Sequence, residues 1–404
     1  MAVDEFARIH HWTGARQNED WQRQRGVVVG IGDDAAVVDV IAAADGIEGP
    51  KRLLLAVDTM VETIHFNETT MRDADVGYKA LAANISDIAA MGGVPLHALV
   101  SVSVPPSYKP EQMRRLYDGL YECAERYGVA VAGGDTTSSP EHLVVAVTVT
   151  GTVEAGRELR RSGAMPGDAV FVTGAVGKAA AGLHALMAQR AKAVQRRETR
   201  SGAETTESSG IVVTDAQDAR FDTAAEGSEI DKVIAEACGI ELAQVAAIVQ
   251  AHRRPSPSVR AGRLLLESGG CRSLNDVSDG LASEAWEIAE ASGIRLVLSE
   301  QLLPKSGSMT AYASKAGIDP LEWMLYGGED YVLLGTMAAE QAETMRQAFH
   351  AEGMPFYIIG VTEAGAPGVE LVRGDLKNKG ASLKASGDAK RVKLEKRGYN
   401  HFSS

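Results

Sequence analysis

Five short acidic motifs, several of them placed directly after an apolar run, constrain this chain more than any other feature of its sequence. They are "GIGDDAAV" (Asp33, Asp34), "LAVDT" (Asp58), "NISDIAAMGG" (Asp87), "AGGDTT" (Asp135) and "NDVSDG" (Asp276, Asp279). Asp34, Asp58 and Asp135 each follow a strand-like run, which puts them at the carboxyl ends of strands, where open α/β sheets bind ligands. Carboxylates gathered there repel one another, and burying several unpaired would cost many kcal/mol. Such a cluster persists if divalent cations sit between the oxygens. Magnesium suits oxygen ligands, keeps waters, and bridges one or two carboxylates to substrate phosphates. Taken singly, an Asp in a Gly/Thr-rich turn is most often a local hydrogen-bonder to backbone. The repeated placement is what points to a metal site. Asp87 stands apart, because a carboxylate near a helix C-terminus opposes the macrodipole by ~0.3–1 kcal/mol.

The stretch "VVVGIGDDAAVV" also fits the G-x-G-x-x-G/A turn of a dinucleotide-binding fold, with Asp58 as the distal acid. That reading needs a helix after the turn, and "AAVVDV" patterns as a continuing strand. Asp33 and Asp34 would moreover repel the diphosphate such a turn holds. A Walker A loop is missing, since "GAVGKAA" has the wrong spacing and an alanine after Lys178. A net charge of −13 argues against nucleic acid or an anionic membrane as partner. Apolar runs are far short of the ~20 residues that span a bilayer, and the N-terminus lacks the order of a signal peptide. A cytoplasmic protein is expected. Cys123, Cys238 and Cys271 are too far apart for a C-x-x-C motif and read as reduced, small apolar residues.

Val27–Val29, Leu53–Val57, Leu99–Val104 and Leu143–Val149 are β-rich runs. Two helical patterns lie between the later ones: Tyr78, Leu81, Ile85 and Ile88, with Asp73 or Asp75 as N-cap and Gly92 as stop, and Met113, Leu116, Leu120, Ala124 and Tyr127. Residues 1–155 therefore read as one α/β unit. A second, 156–404, begins at "RRSGAMPGDAVFVTG", with a strand at Ala169–Thr173 and a helix from about Lys178 to Gln189. From about 190 to 229 the sequence is polar, Gly/Ser/Thr-rich and without apolar period, which predicts a mobile loop; an ordered surface loop is the alternative.

In order along the chain, "GIGDDAAV", "VDTMVETIHF", "VGYKALAANISDIAAMGG", "AGGDTT", "RRSGAMPGDAVFVTG", "RPSPSVRAG", "DVSDGL", "GGEDYVLL" and "GYNHF" resemble the thiamine-monophosphate kinase family. That family is a branch of the superfamily that includes aminoimidazole-ribonucleotide synthetase and selenophosphate synthetase. The resemblance implies an α/β (α+β) two-domain aminoimidazole-ribonucleotide synthetase-like fold, with an N-terminal mixed sheet pairing across a homodimer and a C-terminal α/β domain. It implies ATP-dependent phosphorylation of thiamine monophosphate in a site with several magnesium ions. The metal ligands would be Asp34, Asp58, Asp87, Asp135, Asp276 and Asp279. Gly134, Asp135, Arg161, Ser278 and Tyr127 match positions that hold ATP, with Asp58, Asp135 and Arg161 closest to the chemistry. His65, Glu329 and Tyr399 match positions lining the thiamine phosphate. Read alone, His65 is equally a core or surface histidine, Arg161 beside Arg160 a solvated pair, and Glu329 a turn cap.

The chain departs from the family at Ala56 and Val57, where hydroxylic residues are common, at Lys178, where an acid is common, and in the long 190–229 segment. Phosphoryl transfer asks mainly for alignment and charge neutralisation, so direct in-line transfer is expected, with Arg161 holding the donor and no histidine nucleophile. A sister ATP-dependent synthetase and a non-catalytic sensor are the alternatives. The first is disfavoured by the absence of any cysteine before Cys123. The second is disfavoured by the number of retained acids.

Overall fold

Alternation of buried and accessible residues along the early strands decides where the first helices pack. In the computed structural model, which describes residues 27–29, 36–39, 49–201, 228–374, 376–379, 382–385 and 390–398, the first sheet has six strands. Their order is β1 (Val27–Val29), β2 (Ala36–Asp39), β3 (Lys51–Val61), β6 (Val144–Glu154), β4 (Val94–Val104) and β5 (Ala130–Ser138). β1 and β2 are antiparallel, Val27 opposite Val38. The segment after the glycine turn is thus a strand, which removes the dinucleotide-fold reading. The turn itself, with Asp33 and Asp34, lies outside the described residues.

Leu54, Ala56, Met60, Val100, Val102, Val145 and Val147 point to one face and are buried. That face is covered by α1 (Asp73–Ala90) and α2 (Pro110–Tyr127), the latter forming the crossover between parallel strands β4 and β5. The opposite face is open: Val57 is 63% exposed, Leu99 48% and Val94 41%. Helices α1 and α2 cross closely because each offers a glycine. A Cβ on Gly77 would sit 1.9 Å from the Leu116 carbonyl oxygen, and one on Gly119 1.8 Å from that of Ala74. Arg72, rather than Asp73 or Asp75, is the N-cap of α1, and Asp75 closes a capping box back to it.

Helix α1 is buried nearly all round, as expected of a helix enclosed on more than one side. Its outer side meets the second unit, whose seven-stranded sheet runs β15 (Lys390–Lys393), β12 (Gly368–Arg373), β9 (Arg295–Ser299), β11 (Tyr357–Glu363), β7 (Ala169–Val172), β10 (Leu333–Met337) and β8 (Cys271–Asp276). β13 (Leu376–Lys379) and β14 (Ser382–Ala385) form a separate antiparallel pair. Around the sheet lie α3 (Lys178–Ser201), α4 (Glu229–Cys238), α5 (Leu242–Arg253), α6 (Val259–Ser268), α7 (Leu281–Ser292), α8 (Gly307–Ala316), α9 (Pro320–Tyr326) and α10 (Ala339–Ala351). One apolar core runs through both units, joining Ile85 and Ile88 to Leu265, Leu274 and Phe349.

The loop expected from 190 to 229 is shorter than its sequence suggests. α3 continues to Ser201 and α4 starts at Glu229, while 202–227 lie outside the described residues. "AKAVQRRETR" lacks an apolar period but is built mainly from strong helix formers, and propensity carries the helix on where amphipathicity gives no signal.

Candidate active site

Three polar residues on one stripe of α1 reach across to the second unit. Asp75, Lys79 and Ser86 are spaced four and seven apart, so they share a helix face, and each is at most 1% exposed. Asp75 accepts from Arg72 Nε and Arg254 Nε, both at 2.8 Å. Lys79 Nζ pairs with Glu329 Oε1 at 2.5 Å. Ser86 Oγ donates to Asp276 Oδ2 at 2.6 Å. The seam between the units therefore carries a line of hydrogen bonds and ion pairs alongside the apolar core that runs through both.

Asp276 ends β8 and is 2% exposed. Burial pushes its carboxyl up to about 6, against the pull of Ser86 and Arg161, and the nearby Asp58 adds to the rise. The turn that follows is braced from α7. Glu284 accepts from Asn275 Nδ2 at 2.5 Å, from the Asp279 N–H at 3.0 Å and from Ser278 Oγ at 3.4 Å. Burial raises the Glu284 carboxyl well above its ordinary value, and Glu287 and Asp279 reinforce this. Arg161 is laid alongside by the Leu274 N–H donating to the Arg160 carbonyl at 2.8 Å. Its Nε donates to Asn275 Oδ1 at 3.1 Å, and its Nη1 lies 3.1 Å from Glu287 Oε2.

The "GGEDY" segment forms the facing wall. Gly328 passes so close to the Ser278 carbonyl that a Cβ would sit 2.3 Å from it, and the Glu329 N–H donates to that same carbonyl at 2.6 Å. Glu329 and Tyr331 both have left-handed backbone, φ 68° and 51°, which non-glycine residues seldom adopt. Burial works against charge on Glu329, but the Lys79 ammonium and His252 outweigh it and hold the carboxyl down at about 2. Tyr331 is buried within the fields of Glu329, Asp58, Asp276 and Asp279, and burial first, then those acids, raises its phenol. Asp330 turns the other way to cap α3, accepting from the Gly177 and Ala179 N–H groups, and burial pushes it up to about 7.

Asp58, Asp276, Asp279, Ser278, Arg161 and Glu329 are thus gathered on one seam, with Asp87 next to Ser86 on α1. Asp135 is not brought to them within one chain. Register aligns Asp58 with Val147, Val147 with Val100 and Val100 with Gly134, three strand spacings or about 14 Å. Asp135 pairs with Ser101 on the open face, whereas Thr136 bonds Tyr117 of α2 on the covered one. Gly134 is required where it stands, since a Cβ would lie 1.7 Å from the Val100 carbonyl oxygen. Tyr127 sits elsewhere, on a cavity of 1230 Å³ lined also by Lys178, Arg254, Ser256 and Asp330 but not by Arg161, Ser278 or Asp135. His65 closes the turn after β3, its Nδ1 accepting from the Val61 N–H at 2.9 Å, so Nε2 carries the ring proton. Asp34 and Tyr399 lie outside the described residues, though Gly398 packs against the Asp279 carbonyl, where a Cβ would come within 2.4 Å.

Sequence reasoning missed Lys79, Ser86, His252, Asn275, Glu284, Glu287 and Tyr331. Lys79 and Ser86 left a readable trace as polar residues inside the apolar pattern of "VGYKALAANISDIAAMGG". The others are joined to the site only by tertiary contact. Among the described residues no three His, Cys, Asp or Glu side chains form a group that could hold a metal ion by themselves. The donors that do gather are carboxylate oxygens, which suits a hard cation that takes one or two carboxylates and completes its shell from phosphate and water.

A mixed two-sheet fold with acids on the seam between its halves defines a class. The chain belongs to the AIR synthase related proteins: residues 32–153 match their N-terminal domain and residues 237–372 their C-terminal domain. Within that class its likeness is to the thiamine-monophosphate kinases, and it belongs with them. It is 37% identical over 400 residues to the thiamine-monophosphate kinase of Bacillus subtilis (strain 168), covering 99% of this chain and 100% of that protein. It is 30% identical over 407 residues to that of Escherichia coli (strain K12), covering 100% of both. A solved structure described as AaThiL complexed with AMPPCP and TMP superposes with a TM-score of 0.64 at 26% identity, covering 91% of this chain and 93% of that one.

Proposed function

We propose that this chain transfers the γ-phosphoryl group of ATP to the phosphate of thiamine monophosphate, forming thiamine diphosphate and ADP. The observation that carries this reading is the likeness to thiamine-monophosphate kinases over the whole length. It is supported by the gathering of Asp58, Asp276 and Asp279 at the interdomain seam. The acceptor is already a phosphate oxygen anion near neutral pH, so no strong general base is needed. Arg161, oriented by Asn275 and Glu287, is suited to the donor phosphates, with Ser278 as a further nucleotide contact; Gly134 and Tyr127 lie apart from this seam within one chain and would contact nucleotide only across a second copy. His65, Glu329 and Tyr399 would line the thiamine phosphate.

Magnesium would be held by Asp34, Asp58, Asp87, Asp276, Asp279 and Asp135. Bound there, it supplies charge neutralisation to two polyanions that an acidic protein would otherwise repel. Residues of the chain do the rest: Ser86 and Glu284 hold the Asp276–Asp279 turn in place, and Lys79 with His252 holds Glu329.

A second copy fits the same reading. The open face of the first sheet carries Val57, Val94 and Leu99 beside the exposed edge strand β5, and unpaired edges next to apolar faces invite pairing. Asp135 lies on that face, so it would serve a site completed by the partner. No helix among the described residues is long and apolar enough to cross a membrane. Phosphorus NMR of the protein with ATP, magnesium and thiamine monophosphate tests the reaction. A diphosphate monoester appearing together with ADP supports it, and ADP without that product refutes it.

A further inference from the structure

Both carboxylate oxygens of Glu329 are already taken from the protein side. Lys79 Nζ lies 2.5 Å from Oε1 and His252 Nδ1 3.1 Å from Oε2. The two holders come from different elements, α1 and α5, and lie 3.5 Å from each other. Each is 1% exposed, while 30% of the Glu329 side chain remains accessible. The accessible part of the pair is therefore on the Glu329 side, and its ammonium lies behind.

Burying an ammonium is expensive, and well-packed apolar residues often replace a buried ion pair without loss of stability. Packing alone does not call for Lys79. His252 makes a second point. Its Nε2 is buried without a hydrogen-bond partner, so the ring forgoes one of its two bonds in order to aim Nδ1–H at Glu329. Burial first and the adjacent ammonium second favour the neutral ring, and the approach of Nδ1 to Glu329 Oε2 at 3.1 Å assigns the ring proton to Nδ1.

Thiamine carries a quaternary thiazolium nitrogen, which has a positive charge and no N–H. A receptor for it can offer charge but no hydrogen bond, so the receptor's orientation and ionisation decide the affinity. Resting on the kinase reading above, we propose that Lys79 and His252 are positioning residues for the cationic half of thiamine monophosphate. They fix Glu329 as an anion facing the cleft and set the enzyme's affinity for this substrate without touching it.

The test uses the full-length chain with His252→Leu, His252→Gln and Glu329→Gln, measuring kcat and KM for each substrate separately. Glu329→Gln and His252→Leu are expected to raise KM for thiamine monophosphate about tenfold, equivalent to about 1.4 kcal/mol, with KM for ATP unchanged. His252→Gln, whose amide N–H can still donate to Glu329, should recover most of that loss. The proposal is overturned if His252→Leu leaves KM for thiamine monophosphate unchanged, raises both KM values alike, or matches His252→Gln. It is also overturned if Glu329→Gln has no effect on that KM in an enzyme that makes thiamine diphosphate. Ring ¹⁵N NMR of His252 separates this from failure of the kinase reading. An Nδ1–H tautomer supports the clamp whatever the substrate, and an Nε2–H tautomer refutes it even in an active kinase.

Discussion

Replacing Ser86 with alanine isolates one bond whose strength depends on pH. Ser86 Oγ donates to Asp276 Oδ2 at 2.6 Å, with both residues at most 2% exposed. Burial has pushed the Asp276 carboxyl up to about 6, and Ser86 is the largest influence drawing it back. A hydrogen bond to a charged acceptor contributes about 1.5–3 kcal/mol, and one to a neutral acceptor about 0.5–1.5 kcal/mol. At about 1.36 kcal/mol per pH unit, losing the difference raises the carboxyl by a further one or so pH units. The sign follows from linkage: an acid whose folded value lies above its unfolded one makes the native state bind more protons. Stability therefore falls as pH rises from about 4 to the folded value, then levels. Ser86→Ala should cost about 1.5–3 kcal/mol at pH 9, where Asp276 is ionised, and about 0.5–1.5 kcal/mol at pH 5, where it is protonated. Urea unfolding of both proteins in chelator, at matched ionic strength and both pH values, measures this. An equal cost at pH 5 and pH 9 would show that Ser86 does not stabilise the charged form, and the account of Asp276 would fall.

Other outcomes follow from contacts along the same seam and within the first sheet. Asp75→Asn leaves Arg72, Arg253 and Arg254 without the carboxylate they share, so thermal unfolding should show a loss of about 3–5 kcal/mol. Gly134→Ala drives a Cβ to 1.7 Å from the Val100 carbonyl oxygen; β5 must separate from β4, and hydrogen exchange should lose protection across 130–138 while the second unit keeps its own. Glu154, bonded twice by Arg263 at 2.7 and 2.9 Å, is held at about 2 by that guanidinium. Its stabilisation is present above pH 4.5 and disappears as pH falls from there toward 2; at 37% exposure it amounts to about 1 kcal/mol. Glu154→Gln should flatten that limb of the acid-unfolding curve.

How far the sequence could be read depended on whether a residue announces itself locally. Strand β1, helix α2 and the valine alternation of β4 follow from period and punctuation, and their structural limits fall within a few residues of the pattern. β5 showed only as the strand-like run before Asp135; its continuation to Ser138 did not, because "GGDTTS" offers few apolar side chains to pack and is held by its pairing with β4. The acids of the seam were visible because each sits in a short acidic motif, although Asp58 lies within β3 and Asp87 within α1 rather than in turns. Glu284 and Glu287 were not, since on α7 they pattern as the polar face of an ordinary helix. Only the fold turns them inward, where they are 2% and 8% exposed. Asp135 carries a further lesson. A motif fixes which residue is presented, but strand parity fixes the side on which it is presented, and parity depends on an extra residue in β5, where Ala98 pairs with Val131 but Leu99 with Gly133, that no local pattern reveals.

Asp75, Lys79 and Ser86 engage the second unit at intervals over about 16 Å of helix, at about 1.5 Å per residue. Points spaced along a shaft act as a key in a slot. Twisting either unit about the axis of α1 would shear all three at once, and sliding along it would mismatch every pair. Only a hinge transverse to the helix, opening from one end, can proceed contact by contact. Any opening between the units is thereby confined to one direction, set by a single helix.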